Sequence, residues 1–242
     1  KQGEFRIVGQ VTEGQYAYVP PLPAKAKGVQ APKWPALTKV NGELVFDRSA
    51  FHFKGRTQLA GAPDVTWQKV EAHIPNLAQP VVTVTGEGRG PLQQVLDTVG
   101  KTALNDLTGG VLNKSQGKGD ASYKLALTLP IQQLETSTVQ GSVKFADNAL
   151  QVIPGTPVLD HAKGTLQFSE QGFTLEDLQA ELLGGNATLR GGLSFIATAD
   201  KSPLQLKIDG NLTAEGLRQA RELGFASRLA QRATGKAAYT AT

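Results

Sequence analysis

Three glycines in this sequence are each followed by the same apolar spacing, and that repeat limits the possible folds more than any other feature. Gly42-Glu43-Leu44-Val45-Phe46 leads to Phe51 and Phe53, Gly141-Ser142-Val143-Lys144-Phe145 to Leu150 and Val152, and Gly164-Thr165-Leu166-Gln167-Phe168 to Phe173 and Leu175. Residues two apart share one face of a strand, and the four residues between the two apolar pairs are a turn's length. Each copy is therefore predicted to be a β-hairpin with both apolar rows on the same side. Repeated one-sided hairpins make a long sheet with a greasy face, and what covers that face becomes the functional question.

The remaining pattern agrees. Strands are expected around Phe5–Val11, Val65–Val70, Val81–Thr85, Tyr123–Pro130, Leu178–Leu182, Ala187–Leu189, Leu193–Ala197 and Leu204–Ile208, from alternation and β-branched content. Pro20, Pro21, Pro23, Pro32 and Pro35 predict an irregular crossover over 20–36. Residues 91–107 switch to a helical period through Leu92, Val95, Leu96, Val99, Ala103 and Leu107. A second helix is expected over 214–233. The organisation is thus an N-terminal portion, 1–36, with one or two strands and the crossover, followed by a repeating antiparallel sheet over 37–242 carrying both helices. The strands present about twice the apolar side chains that two helices can cover. Either the sheet closes on itself as a sandwich or barrel, or part of the apolar face remains as a groove.

Composition narrows the classes. The formal charge of +4 is mild for 242 residues, and no Lys/Arg run or aromatic–basic interleaving suggests nucleic acid. With no cysteine there is no disulfide and no cysteine-ligated zinc. No apolar run reaches the roughly 18 residues of a membrane helix. A chain that opens Lys1-Gln2-Gly3 and has no methionine reads as an internal piece of a longer protein. His52, His73 and His161 lack metal-ligand spacing, and Asp160-His161 is merely adjacent. Glu176-Asp177 reads as a solvated turn. Gly86-Glu87-Gly88-Arg89-Gly90 reads as a turn into the first helix, because Glu87 occupies the place an anion would take. No catalytic residue, cofactor or metal site is expected.

From Gly117 to Gly191 the order of motifs is specific: Gly117-Lys118-Gly119-Asp120-Ala121, then Leu125 to Ile131, Val139-Gln140-Gly141, Ala162 to Phe168, and Leu182-Leu183-Gly184-Gly185-Asn186-Ala187. This order resembles the YhdP branch of the AsmA-like proteins, relatives of TamB in the Gram-negative envelope, and the similarity spans residues 37–235. The resemblance implies a periplasmic body anchored in the inner membrane by the parent protein. It implies a long β trough, taco-like in section, whose interior holds phospholipid acyl chains during transport toward the outer membrane. Family members are also linked to outer-membrane permeability and to enterobacterial surface antigen.

On that reading the fold is mainly β: a long curved antiparallel sheet forming a one-sided groove with two short helices. The candidate groove residues are Phe46, Phe53, Leu125, Leu127, Leu129, Val143, Phe145, Leu166, Phe168, Leu204, Leu206 and Ile208. On a continuous helix through 214–233, Arg218, Arg221, Arg228 and Arg232 project within roughly 80° of one another and are candidates for lipid headgroups. The expected partners are lipids and other envelope proteins. Two rival readings remain: an envelope scaffold with a closed core and no groove, and an all-β carbohydrate-active enzyme.

Overall fold

The computed structural model describes residues 5–17, 35–101, 110–133, 136–194 and 204–242. Its strands are β1 (Arg6–Tyr16), β2 (Leu37–Asp47), β3 (Ala50–Leu59), β4 (Ala62–Ile74), β5 (Val81–Pro91), β6 (Gln116–Lys118), β7 (Asp120–Pro130), β8 (Thr138–Gln151), β9 (Leu159–Ser169), β10 (Gly172–Leu182), β11 (Gly185–Ser194), β12 (Leu204–Thr213) and β13 (Lys236–Ala241). The helices are α1 (Leu92–Gly100), α2 (Ala214–Gln219) and α3 (Phe225–Leu229), with short 3-10 turns at Val111–Lys114, Arg221–Leu223 and Ala230–Arg232. All the strands belong to one antiparallel sheet, ordered β1-β2-β3-β4-β5-β7-β8-β9-β10-β11-β12-β13, with β6 beside β8. Both β6 and β7 pair with β8, so they form one strand kinked at Gly119, whose φ is 82°. Among the described residues the sheet is open: β1 and β13 are its two edges and do not pair with each other.

Two of the three repeat copies are hairpins. Leu44 and Phe46 face Phe53 and Phe51 across β2–β3, and Leu166 and Phe168 face Leu175 and Phe173 across β9–β10. The middle copy is not. Its expected turn, Ala146 to Ala149, lies inside the continuous strand β8 as a bulge. Asn148 decides this, being fully buried. Its Oδ1 accepts from the Ala146 N–H at 3.1 Å, while its Nδ2 donates to the Lys118 and Asp120 carbonyls at 3.0 and 3.2 Å. Those carbonyls flank the Gly119 kink, so a side chain from one strand holds the bend of its neighbour.

Bulges or irregular pairings recur in β1, β2, β4, β8, β9 and β10. Each extra residue bends its strand and increases the local twist. Five non-glycine residues at these irregularities have left-handed φ: Glu13, Lys39, Lys69, His161 and Asp177. The conformation costs a bulky residue energy, and each of the five makes a polar contact at its irregularity. Asn41 donates to the Glu13 carboxylate and the Lys39 carbonyl, both at 2.9 Å. Lys69 pairs with Glu87 at 2.7 Å, His161 with Asp147 at 2.9 Å, and Asp177 with Arg190.

Several expected elements take other forms. Glu176-Asp177 is a bulge within β10, not a turn. Gly86, Gly88 and Gly90 lie in β5, not in a turn, and Trp67 occupies the space above the first two: a Cβ on Gly88 would meet its ring at 3.0 Å. Leu193 and Ser194 end β11, and 195–197 lie outside the described residues, as do 102–107 of the first predicted helix and most of the 20–36 crossover. The helix expected over 214–233 is broken at Ala220 and Gly224 into α2, a 3-10 turn and α3.

The Asn148 arrangement gives a measurable expectation. Asn148→Ala leaves the Lys118 and Asp120 carbonyls without this donor and should lower the urea-unfolding free energy by about 2 kcal/mol, with near-native circular dichroism before the transition.

Candidate functional site

Residues opposite one another in an antiparallel pair point to the same side, so the register assigns every side chain to a face. One face carries Ile7 and Val11 of β1, Leu44 and Phe46 of β2, Phe51 and Phe53 of β3, and Trp67 and Ala72 of β4. It continues through Val82 and Val84 of β5, Leu125, Leu127 and Leu129 of β7, and Val139 and Val143 of β8. Leu166 and Phe168, Phe173 and Leu175, Leu189 and Leu193, Leu204 to Ile208 at alternate positions, and Tyr239 complete it. Of the twelve candidate groove residues, eleven fall on this face by direct pairing, and Phe145 joins them opposite Gly164.

The other face is mostly charged or hydroxylated, with Val8, Val45 and Val81 as apolar exceptions. Ion pairs run along it: Lys54–Glu71 at 2.9 Å and Lys124–Glu87 at 3.8 Å across strands, and Lys207–Asp209 at 3.0 Å within β12. Hydrogen bonds from Lys54 and Lys69 hold the Glu71 and Glu87 carboxyls below their ordinary range. Hydrogen bonds from Thr240 and then Lys207 do the same for Asp209. His52 and His73 stack edge to face across β3–β4, with ring centres 5.8 Å apart. Among the described residues, no group of three or more acidic, histidine or cysteine side chains is placed to hold a metal ion.

The apolar face is not covered evenly. The connections β3–β4, β8–β9 and β10–β11, the α1 excursion and the 214–235 excursion all leave one rim of the sheet. Near that rim lies a dry core of Val65, Ala121, Tyr123, Phe145, Leu150, Ala162, Leu178, Leu182 and Leu189. Helix α1 closes part of it with Leu92 and Leu96. Two neighbouring glutamines hold the helix there. Gln94 exchanges two hydrogen bonds with Asp64 of β4, and Gln93 accepts from the Gly117 N–H of β6 at 2.8 Å. The helix sits so close to Gly117 that a Cβ there would meet Leu92 at 2.7 Å. Burial pushes the Tyr123 hydroxyl up, and it donates to the Gly90 carbonyl at 3.2 Å.

Away from that rim the face is wetter. Leu125, Leu127, Val143, Leu166, Phe168 and Leu206 are half-buried, as are Phe46, Phe53 and Ile208, and Leu204 is 51% exposed. Leu129 and Phe145 are buried, so these two belong to packed parts of the face. A concavity of about 670 Å³ lies at β7–β11. It is lined by Leu125, Phe168, Phe173 and Leu193 from the apolar rows and by Lys124, Gln140, Ser142, Gln167 and Thr174 from the polar ones. Phe173 and Leu193 were not among the candidates, although Phe173 was legible in the repeat. Val82 and Val84 were hidden in a run of alternating valine and threonine, two β-branched types that reveal no inward side.

The four arginines do not form one stripe. Arg218 turns back into its own excursion, pairing with Glu215 and donating to the Ala230 and Ala233 carbonyls at 3.2 and 3.0 Å. Arg221, Arg228 and Arg232 are exposed on separate short turns.

The family model described as YhdP protein matches residues 1–242, the whole chain. No curated protein and no solved structure matches it.

The contact between His161 and Asp147 is also pH-sensitive. The hydrogen bond to Asp147 raises the His161 imidazole above its ordinary value of 6.5, and the bond from His161 lowers the Asp147 carboxyl. Stability from the raised histidine is fully present below its unfolded pKa and is lost as pH rises through the folded one. Stability from the depressed aspartate is present above its own unfolded pKa and is lost as pH falls through the folded one. An NMR titration of His161 should have its midpoint above 6.5, and Asp147→Asn should bring it back toward that value.

Proposed function

The chain belongs to the YhdP family, and from that premise we propose that it is a non-catalytic stretch of a periplasmic, AsmA-like envelope protein whose apolar sheet face shelters lipid acyl chains on their way to the outer membrane. The observation that carries this reading is the single open sheet with one apolar face, only part of which is sealed among the described residues. Desolvating an acyl chain is worth about 0.8 kcal/mol per methylene, so two long chains need a continuous apolar surface rather than a single pocket. The half-buried row from Leu125 and Val143 through Leu166 and Phe168 to Leu206 supplies such a surface across successive strands. The polar face, stitched by ion pairs, keeps the other side of the same sheet in water.

The anchor of the parent protein in the inner membrane is part of this proposal. Among the described residues no helix is long and apolar enough to cross a membrane. The rival scaffold reading predicts a sheet face without lipid, and the experiment separates the two.

A photo-crosslinking residue placed at Leu127 or Phe168, in protein expressed in a Gram-negative periplasm, should yield lipid adducts detectable by mass spectrometry. The same residue at Thr128, one position from Leu127 and on the opposite face, should yield few. Equal labelling of both faces, or no adduct from either, rejects lipid sheltering here.

A further inference from the structure

The excursion between β12 and β13 turns its apolar residues the wrong way for a stable cap. Its inward positions are small: Ala214, Ala220, Ser227 and Ala230 are buried. Leu217 on α2 is half-buried, but the other large apolar residues point out, with Phe225 67% and Leu229 62% exposed and Leu223 at the margin. Phe225 and Leu229 are four apart on α3 and so share one side of it.

This outward arrangement is held in place. Thr213 caps α2 by accepting from the Gly216 N–H at 2.9 Å, and the neck closes where the Ala214 N–H donates to the Gly235 carbonyl at 3.1 Å. The Ser227 hydroxyl donates to the Arg218 carbonyl at 3.0 Å, while the Arg218 guanidinium reaches the Ala230 and Ala233 carbonyls. With Ser227 and Ala230 fixed inward, the helical turn has no way to bury Phe225 or Leu229.

The unpaired charges flanking these side chains in the chain are mostly positive. Arg221, Arg228, Arg232 and Lys236 are exposed and have no ion-pair partner among the described residues; Arg218 already neutralises Glu215, which leaves Glu222 as the one opposing carboxylate in the excursion. An exposed aromatic and a leucine on a tight turn, ringed by free cations, fit the interfacial zone of a bilayer carrying anionic headgroups. A protein partner would need a broader contact than one five-residue helix presents. We propose that residues 221–232 form a docking tip for an anionic membrane surface, with Phe225 and Leu229 entering the headgroup region and Arg221, Arg228 and Arg232 meeting phosphates. The tip does not depend on what the apolar sheet face holds, so either proposal can fail without the other.

The test is flotation of the whole chain with phosphatidylglycerol–phosphatidylcholine vesicles and with pure phosphatidylcholine. Binding should favour the anionic vesicles and weaken with salt. Replacing Arg221, Arg228 and Arg232 together with glutamine should reduce it by roughly fivefold for each cation removed. Phe225→Ser with Leu229→Ser should reduce it by roughly tenfold or more, without altering circular dichroism, since both side chains are exposed. The proposal is overturned if the chain ignores anionic vesicles or if both variants bind like the parent. It is equally overturned if Phe225 and Leu229 prove to drive self-association, seen as a concentration-dependent dimer in ultracentrifugation that the double serine variant loses.

Discussion

The parity of the β-ladders governs this structure. Side chains alternate with a period of two, so an extra residue in a strand sends every later side chain to the opposite face unless the backbone absorbs it. The bulges absorb it. Leu175 and Leu178 are three apart, yet both are buried on the apolar side, because the bulge at Glu176-Asp177 takes up the odd residue. Trp67 and Val70 share the same relation across Lys69. Without those irregularities, the far half of each strand would show its leucines to water and its charges to the core.

The same devices shape the sheet. A bulge bends its strand, and bends repeated in strand after strand curve the whole surface. Left-handed residues at the bulges place Lys69, His161 and Asp177 where each reaches a charge on the next strand. These exposed pairs add little stability individually. Their geometry nevertheless ties register, curvature and polarity into one pattern, with the ion pairs on one side and the hydrocarbon on the other.

Coverage divides the apolar face into two regimes. Near the helix-bearing rim it is an ordinary interior, sealed in part by α1 through Gln93 and Gln94. Farther from that rim, leucines and phenylalanines stay half-buried, with neighbours beside them in the sheet but no second sheet among the described residues to cover them. A sealed margin gives the segment a core to fold around, and an unsealed span is what a hydrocarbon ligand would need. The two excursions differ in the same physical way. Helix α1 turns leucines inward onto the sheet, whereas the 214–235 excursion turns alanines and a serine inward and keeps its phenylalanine outside.

Alternation alone was enough to read most strands, the two hairpins at Gly42 and Gly164, and the one-sidedness of the sheet, because these depend on residues only a few positions apart. The family likeness was legible for the same reason, since it lies in the order of glycines and apolar pairs. Tertiary contacts decided the rest. Ala146 to Ala149 looks like a turn until Asn148 is drawn to carbonyls on a strand some thirty residues earlier. The alternating glycines of β5 look like a loop until Trp67 lies over Gly86 and Gly88. The arginines of 214–233 look like a stripe until Arg218 folds back onto its own excursion and the helix breaks. Period and propensity are local properties and can be read along the chain. Which side chains are covered, and by what, depends on surfaces that meet only after folding.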